Sequence, residues 1–166
     1  MSTSRRNFLI GTLGISGFIV LQFISGKSKR LYPGDNTITK LELSDEEWKK
    51  RLSENAYQVL RKGKTENRNS SPLNKEWRKG IYVCQGCGLE LFTSDMKYES
   101  NTGWPSFTSH ILGHLTTYTD LKAIPPQRGY RCTRCGGHHG HLFMDGPLPK
   151  GERWCSNGAA LKFIPA

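Results

Sequence analysis

Cys84-Gln85-Gly86-Cys87-Gly88 and Cys132-Thr133-Arg134-Cys135-Gly136 decide how this chain is built. The two stretches share one spacing, Cys-x-x-Cys-Gly. Each can wrap its backbone around a metal ion, with the glycine relieving the turn after the second sulfur. Two such hooks supply four thiolates in a tetrahedron, the arrangement of a structural zinc ion. Residues 88–131 separate them, a longer span than a simple finger has, so the metal is expected to staple two distant hairpins. With four protein thiolates, zinc has no open position and would stabilise the fold without joining a reaction.

Other readings of the hooks stay open. Iron held as in rubredoxin takes similar ligands. Two disulfides are accessible to a chain outside the cytoplasm. A thioredoxin-like redox pair wants one Cys-x-x-Cys at the start of a helix in a βαβ unit, and that pattern is missing. The fifth cysteine, Cys155, stands apart, and a metal site plus one free thiol fits the odd count.

Outward from the hooks, the sequence reads as short strands separated by turns. Ile81–Val83 enters Cys84, and Leu89–Phe92 follows it. His114–Tyr118, Gly129–Arg131, His141–Phe143 and Ala160–Ile164 complete the set. Two helices precede them. Ser44-Asp45-Glu46-Glu47 has the form of a capping box, predicting a helix through about Leu52 with Trp48 and Leu52 on one face. Ser53 starts a second helix, Glu54 to Lys62, which buries Tyr57 and Leu60 and ends at Gly63. Frequent glycine (18 residues) and 10% aromatics agree with strands and turns rather than a helix bundle. The expected class is mainly antiparallel β with short N-terminal helices and a four-cysteine zinc site.

The N-terminus reads as an address. Ser4-Arg5-Arg6-Asn7-Phe8-Leu9-Ile10 places paired arginines ahead of an apolar stretch, which resembles a twin-arginine export signal. Residues 1–26 are therefore read as a signal or anchor, 27–43 as a linker, and 44–166 as the working domain. Phe8 to Ser25 is 18 residues, close to the ~20 that span a bilayer, so an uncleaved membrane anchor is an alternative to a cleaved signal. The formal net charge is +10, without a run of five like charges. A zinc-ribbon module holding nucleic acid or an acidic protein is the rival reading. The export signal and the lack of basic-aromatic clustering argue against nucleic acid.

Cys155 lies in Arg153-Trp154-Cys155-Ser156-Asn157-Gly158. Cysteine nucleophiles act as thiolates, so a lowered pKa or a proton relay is expected around one. Arg153 offers a fixed charge and Asn157 an amide. Gly136-Gly137-His138-His139-Gly140-His141-Leu142-Phe143 offers imidazoles. On a strand His139 and His141 would share a face, and Gly140 invites a bend that brings His138 around. An inert buried thiol and a second metal site at the histidines are the alternatives.

Taken together, these stretches resemble the B-type methionine sulfoxide reductases (peptide-methionine (R)-S-oxide reductases). The resemblance runs from Ser44 to the C-terminus. It includes Tyr57–Arg61, Thr65-Glu66, Ser70–Asn74, Gly80–Cys84 and Thr102-Gly103-Trp104-Pro105-Ser106-Phe107. It also includes His138-x-Gly140-His141-x-Phe143-x-Asp145-Gly146-Pro147 and Arg153-Trp154-Cys155-x-Asn157. The resemblance implies two antiparallel sheets and zinc at Cys84, Cys87, Cys132 and Cys135. It implies a catalytic Cys155 that attacks the sulfur of methionine-(R)-sulfoxide, in proteins or free, and becomes a sulfenic acid. His141 and His138 match the family histidines that support protonation of the oxygen. Trp104 matches the ring against the substrate methyl group, Phe107 belongs to the same substrate motif, and Asn157 and Arg153 match residues that order polar groups and the thiolate.

The implied role is protein repair under oxidative stress. Many relatives carry a resolving cysteine before Gly-Trp-Pro-Ser-Phe, where this chain has Thr102. An external reductant, thioredoxin-like or another thiol, is therefore expected. The other expected partners are oxidised proteins carrying methionine sulfoxide and the twin-arginine translocase, with no nucleic acid and a monomeric state. The expected location is extracytoplasmic: a bacterial periplasm or a thylakoid lumen. His139 replaces a usual apolar residue and is expected to alter the pocket's pH response. Lys64 and Trp154 are further departures from the family pattern.

Overall fold

The structure is a computed structural model and describes residues 38–166. The expected signal or anchor, and the linker as far as residue 37, lie outside the described residues.

Ser44 caps helix α1 (Asp45–Arg51). Its hydroxyl accepts from the Glu47 N–H, and Glu47 accepts in turn from the Ser44 N–H at 2.8 Å. Acids in the first turn and Lys49, Lys50 and Arg51 in the last complement the helix dipole. Ser53 caps α2 (Glu54–Leu60) by accepting from the Ala56 N–H. This helix ends two residues before the expected Lys62, and Gly63, in the left-handed region at φ +72°, returns an N–H to the Val59 carbonyl. Trp48, Leu52, Tyr57 and Leu60 are buried, as their spacing predicts.

Nine strands follow. β1 (Gly80–Cys84), β2 (Glu90–Thr93) and β9 (Leu161–Pro165) form a three-stranded sheet in the order β2-β1-β9. The second sheet takes β3 (Lys97–Tyr98), β4 (Ser106–Phe107), β5 (Leu115–Asp120), β6 (Gln127–Cys132), β7 (His138–Phe143) and β8 (Arg153–Ser156). Its order is β3-β4-β8-β7-β6-β5, and every pairing in both sheets is antiparallel. The described residues are thus mainly β, with two antiparallel sheets and two short α-helices.

Aromatic rings join the sheets. Phe92 of β2 stacks on Phe107 of β4 with centroids 4.0 Å apart, and Tyr82 of β1 meets Phe107 edge-on at 5.0 Å. Phe107 is fully buried in this stack, which corrects the expectation that it contacts substrate. Its two-residue strand has no alternation to read, so the sequence offered a motif there and no strand.

The approach of β7 to β8 is close. Gly140 pairs with Ser156, and a Cβ built on Gly140 would overlap the Cys155 carbonyl oxygen. Backbone cannot give way as a flexible side chain can. Gly140→Ala should therefore force β7 and β8 apart and destabilise the protein by about 1–3 kcal/mol or more. Urea unfolding checks this, with wild-type stability in the variant as the contrary result.

Candidate active site

β7 and β8 pair so that His141 stands directly opposite Cys155, and Phe143 opposite Arg153. Directly opposed residues of an antiparallel pair share a face. Trp154 and Leu142, one position along, are buried in the core. The exposed side of this strand pair opens into a cavity of about 460 Å³. Cys155, His141, Trp104, Arg153 and Asn157 all line it, with Phe143, Ile124 and Thr102. Five of the seven expected catalytic and substrate-binding residues thus meet around one space.

His138 does not line that space. The register of β6 against β7 shifts between Tyr130 and Arg131: Tyr130 faces Gly140, and Arg131 faces His138. His139 is the extra residue of the resulting bulge. The bulge defeats the simple alternation by which His139 and His141 would share a face. His138 instead comes beside His141, ring centroids 5.2 Å apart, with its Nδ1 2.8 Å from the Tyr118 hydroxyl. It stands one layer behind the cavity. His139 is fully buried, with its Nε2 3.3 Å from the Cys84 sulfur, and its ring does not line the cavity.

Asp120, at the end of β5, places Oδ2 2.8 Å from Nε2 of His141. Burial alone would raise this carboxyl, but the His141 and Lys122 N–H hydrogen bonds outweigh it and hold it below the usual carboxylate range. Burial, and secondly the neighbouring His141, push His138 down to about 4. Burial also pushes the Cys155 thiol up, and Arg153 and Thr102 offset only part of that rise. Of the two provisions expected around a nucleophilic cysteine, a lowered pKa or a proton relay, this environment does not supply the first. Arg153 is engaged elsewhere: its guanidinium makes a bidentate pair with Asp145, at 2.7 and 2.8 Å, and lies over the Phe143 ring.

Cys84 ends β1 and Cys132 ends β6, so the two hooks bring the two sheets together. All four sulfurs lie within 4.8 Å of one another, with Cys84 to Cys135 at 3.6 Å and Cys87 to Cys132 at 3.5 Å. A tetrahedron with Zn–S bonds of about 2.3 Å has edges of about 3.8 Å, so the donor set fits a zinc ion. Gly88 and Gly136 take positive φ and donate to the Cys84 and Cys132 carbonyls, as expected of each turn. The helices brace the hooks: Arg51 donates to the Gly86 carbonyl and Arg61 to the Cys135 carbonyl.

Residues 52–165 match the family model described as the SelR domain. The chain belongs to the SelR family. It is 46% identical over 121 residues to a protein of Leptospira interrogans named peptide methionine sulfoxide reductase MsrB, covering 72% of this chain and 92% of that protein. It is 45% identical to the Methanosarcina barkeri protein of the same name, over 74% of this chain and 87% of the relative. A Drosophila melanogaster protein named methionine-R-sulfoxide reductase B1 is 38% identical, over 80% of this chain and 70% of that protein.

In this SelR-family chain, three supporting residues escaped the sequence reading. Asp120 and Tyr118 sit on β5, far from the histidine motif in sequence, and only the β5-β6-β7 pairing brings them together. Glu66 was legible as part of a motif but not as a clamp. Its carboxylate accepts from the Gly158 and Ala159 N–H groups, and its carbonyl accepts from the Trp104 indole at 3.2 Å. Its own N–H donates to Oδ1 of Asn157, whose Nδ2 donates to the His139 carbonyl. The Asn157 amide is therefore committed to backbone at both ends, and it orders the cavity wall.

A raised thiol stays protonated at neutral pH and gains thiolate as pH climbs. Alkylation of Cys155 should rise through a midpoint above 9.0, and Arg153→Met, which removes an offsetting charge, should move it higher. Iodoacetamide rates against pH in the zinc-loaded protein check both; a wild-type midpoint below 9.0 contradicts them.

Proposed function

We propose that this chain, a peptide-methionine (R)-S-oxide reductase, acts on methionine-(R)-sulfoxide in proteins with Cys155 as nucleophile. The observation that carries the reading is the direct opposition of His141 and Cys155 at one cavity that Trp104 also lines. Membership of a family whose relatives bear methionine sulfoxide reductase names supports it. Sulfoxide reduction needs a soft nucleophile, a proton donor and an apolar surface for the methyl group. Cysteine, histidine and tryptophan supply these in turn.

The substrate methyl packs on the Trp104 indole, which the Glu66 carbonyl holds, and the sulfoxide oxygen turns toward His141. Cys155 gives up its proton as Sγ attacks the sulfoxide sulfur. His141, held at Nε2 by Asp120, carries a proton to the oxygen from its other ring nitrogen. The sulfur–oxygen bond of the substrate breaks and the protonated oxygen passes to Sγ. The bond between Sγ and the substrate sulfur breaks with its electron pair left on that sulfur, so methionine leaves and Cys155 remains as a sulfenic acid. One thiol and one sulfoxide thus become one sulfenic acid and one thioether, with no net proton gained. His138 and Tyr118 hold the His141 side of the cavity, and Arg153 with Asn157 orders the Cys155 side. Two external thiols then return the sulfenic acid to thiol, forming a disulfide and water. A thioredoxin-like protein or another thiol reductant fills that place, because every other cysteine belongs to the hooks.

The metal at Cys84, Cys87, Cys132 and Cys135 is zinc, and it cross-links the sheets without joining the chemistry. Arg5-Arg6 ahead of Phe8-Leu9 supports export in folded form by a twin-arginine translocase, to a periplasm or thylakoid lumen, where the enzyme repairs oxidised proteins as a monomer. Zinc loaded into reduced thiols before export agrees with that route.

The decisive intermediate can be trapped. Zinc-loaded enzyme given excess sulfoxide without reductant should release one methionine per chain and carry one dimedone adduct, at Cys155. No internal disulfide should form. Adduct-free protein with a disulfide between Cys155 and a hook cysteine contradicts the mechanism, and mass spectrometry separates the two.

A further inference from the structure

Of the two motif imidazoles that do not line the cavity, His138 packs beside His141, whereas His139 faces away from it. Its ring is fully buried, and it lies parallel to Tyr130 at 6.4 Å with planes 11° apart. Nε2 is 3.3 Å from Sγ of Cys84, within reach of an N–H to sulfur hydrogen bond. Nδ1 is buried with no partner. These facts choose the tautomer. With the proton on Nδ1, a buried donor would be stranded and the Nε2 lone pair would face a sulfur rich in lone pairs. With the proton on Nε2, the donor is satisfied and only an acceptor is left bare, the less costly defect.

We infer that His139 is a positioning residue of the metal centre, donating its Nε2–H to the Cys84 thiolate. The inference rests on the reading of the four cysteines as a metal site. The hydrogen bond draws charge from that sulfur, which makes it a poorer target for oxidants and leaves the metal more firmly held. The β-bulge supplies the geometry, because the residue skipped in the β6–β7 register is the one whose ring turns toward β1. The same residue reaches the other way through its backbone. Its carbonyl accepts from both the Asn157 N–H, at 2.8 Å, and the Asn157 side-chain amide, at 3.0 Å. One residue therefore ties a sulfur of the metal site to the end of the strand that carries Cys155.

The full chain loaded with cadmium-113 tests this by nitrogen-15 magnetic resonance. The expected result is a His139 ring protonated at Nε2, with scalar coupling between that nitrogen's proton and the cadmium through Cys84. Transfer of zinc to a competing chelator should be roughly 10- to 100-fold faster in His139→Phe. His139→Gln, which restores an N–H donor, should recover part of the loss; packing alone would favour the phenylalanine. A cadmium-loaded protein with Nδ1 protonated, no coupling, and equal zinc release in wild type and His139→Phe overturns the inference and leaves the metal site standing. Failure of the four thiols to take up cadmium or zinc overturns the metal reading and this inference with it.

Discussion

Between Gly140 and the Cys155 carbonyl there is no room for a side chain, and the cavity takes its form from that approach. It sets the β7–β8 register, and the register sets His141 across from Cys155. An antiparallel pair fixes such opposition to within a side chain's length, without loops that must order themselves on binding. The alternation that turns Cys155 outward also turns Trp154 inward against Tyr130, ring centroids 5.1 Å apart. Shifting the thiol would therefore require unpacking the core.

Two clamps secure this strand pair from outside. On one side, Glu66 and Asn157 lock the chain after β8 to the loop that follows α2, and the same loop fixes the Trp104 indole. On the other, the four-cysteine hooks join the end of β1 to the end of β6, two strands from different sheets. A metal there would replace core that a domain of this size has little chain to build. Four thiolates would leave a bound zinc no open ligand position, while His139 lies between the hooks and the chain after β8.

Much of this architecture can be read from residues alone, because local chemistry writes it. Capping serines mark both helix starts, and glycines after Cys87 and Cys135 mark both metal turns. Strands with clear alternation were legible, whereas β3, β4 and β8 were not: two are two residues long, and the third begins with an arginine inside a functional motif. Cys155, His141, Trp104, Arg153 and Asn157 could be gathered from motifs. Asp120, Tyr118 and the clamp role of Glu66 could not, because each acts through pairing or hydrogen bonds with residues 20 or more positions away. The irregularity in β7 was half legible: Gly140 signalled a bend that brings His138 round to His141, but not that His139 would be the unpaired residue, turned to the other side. The burial of the thiol is hidden for a related reason: sequence displays the nearby arginine, while burial is a property of the folded chain.

Handedness at sulfur is the most direct test of the cavity. Methyl against Trp104 and oxygen toward His141 define one epimer, and exchanging them puts oxygen on the indole. Turnover should be measured on the separated R and S forms of protein-bound methionine sulfoxide, with dithiothreitol as reductant, for wild type and Cys155→Ser. The account predicts turnover of the R form alone in wild type and none of either form in the variant. Equal use of both epimers, or turnover surviving in Cys155→Ser, would contradict it.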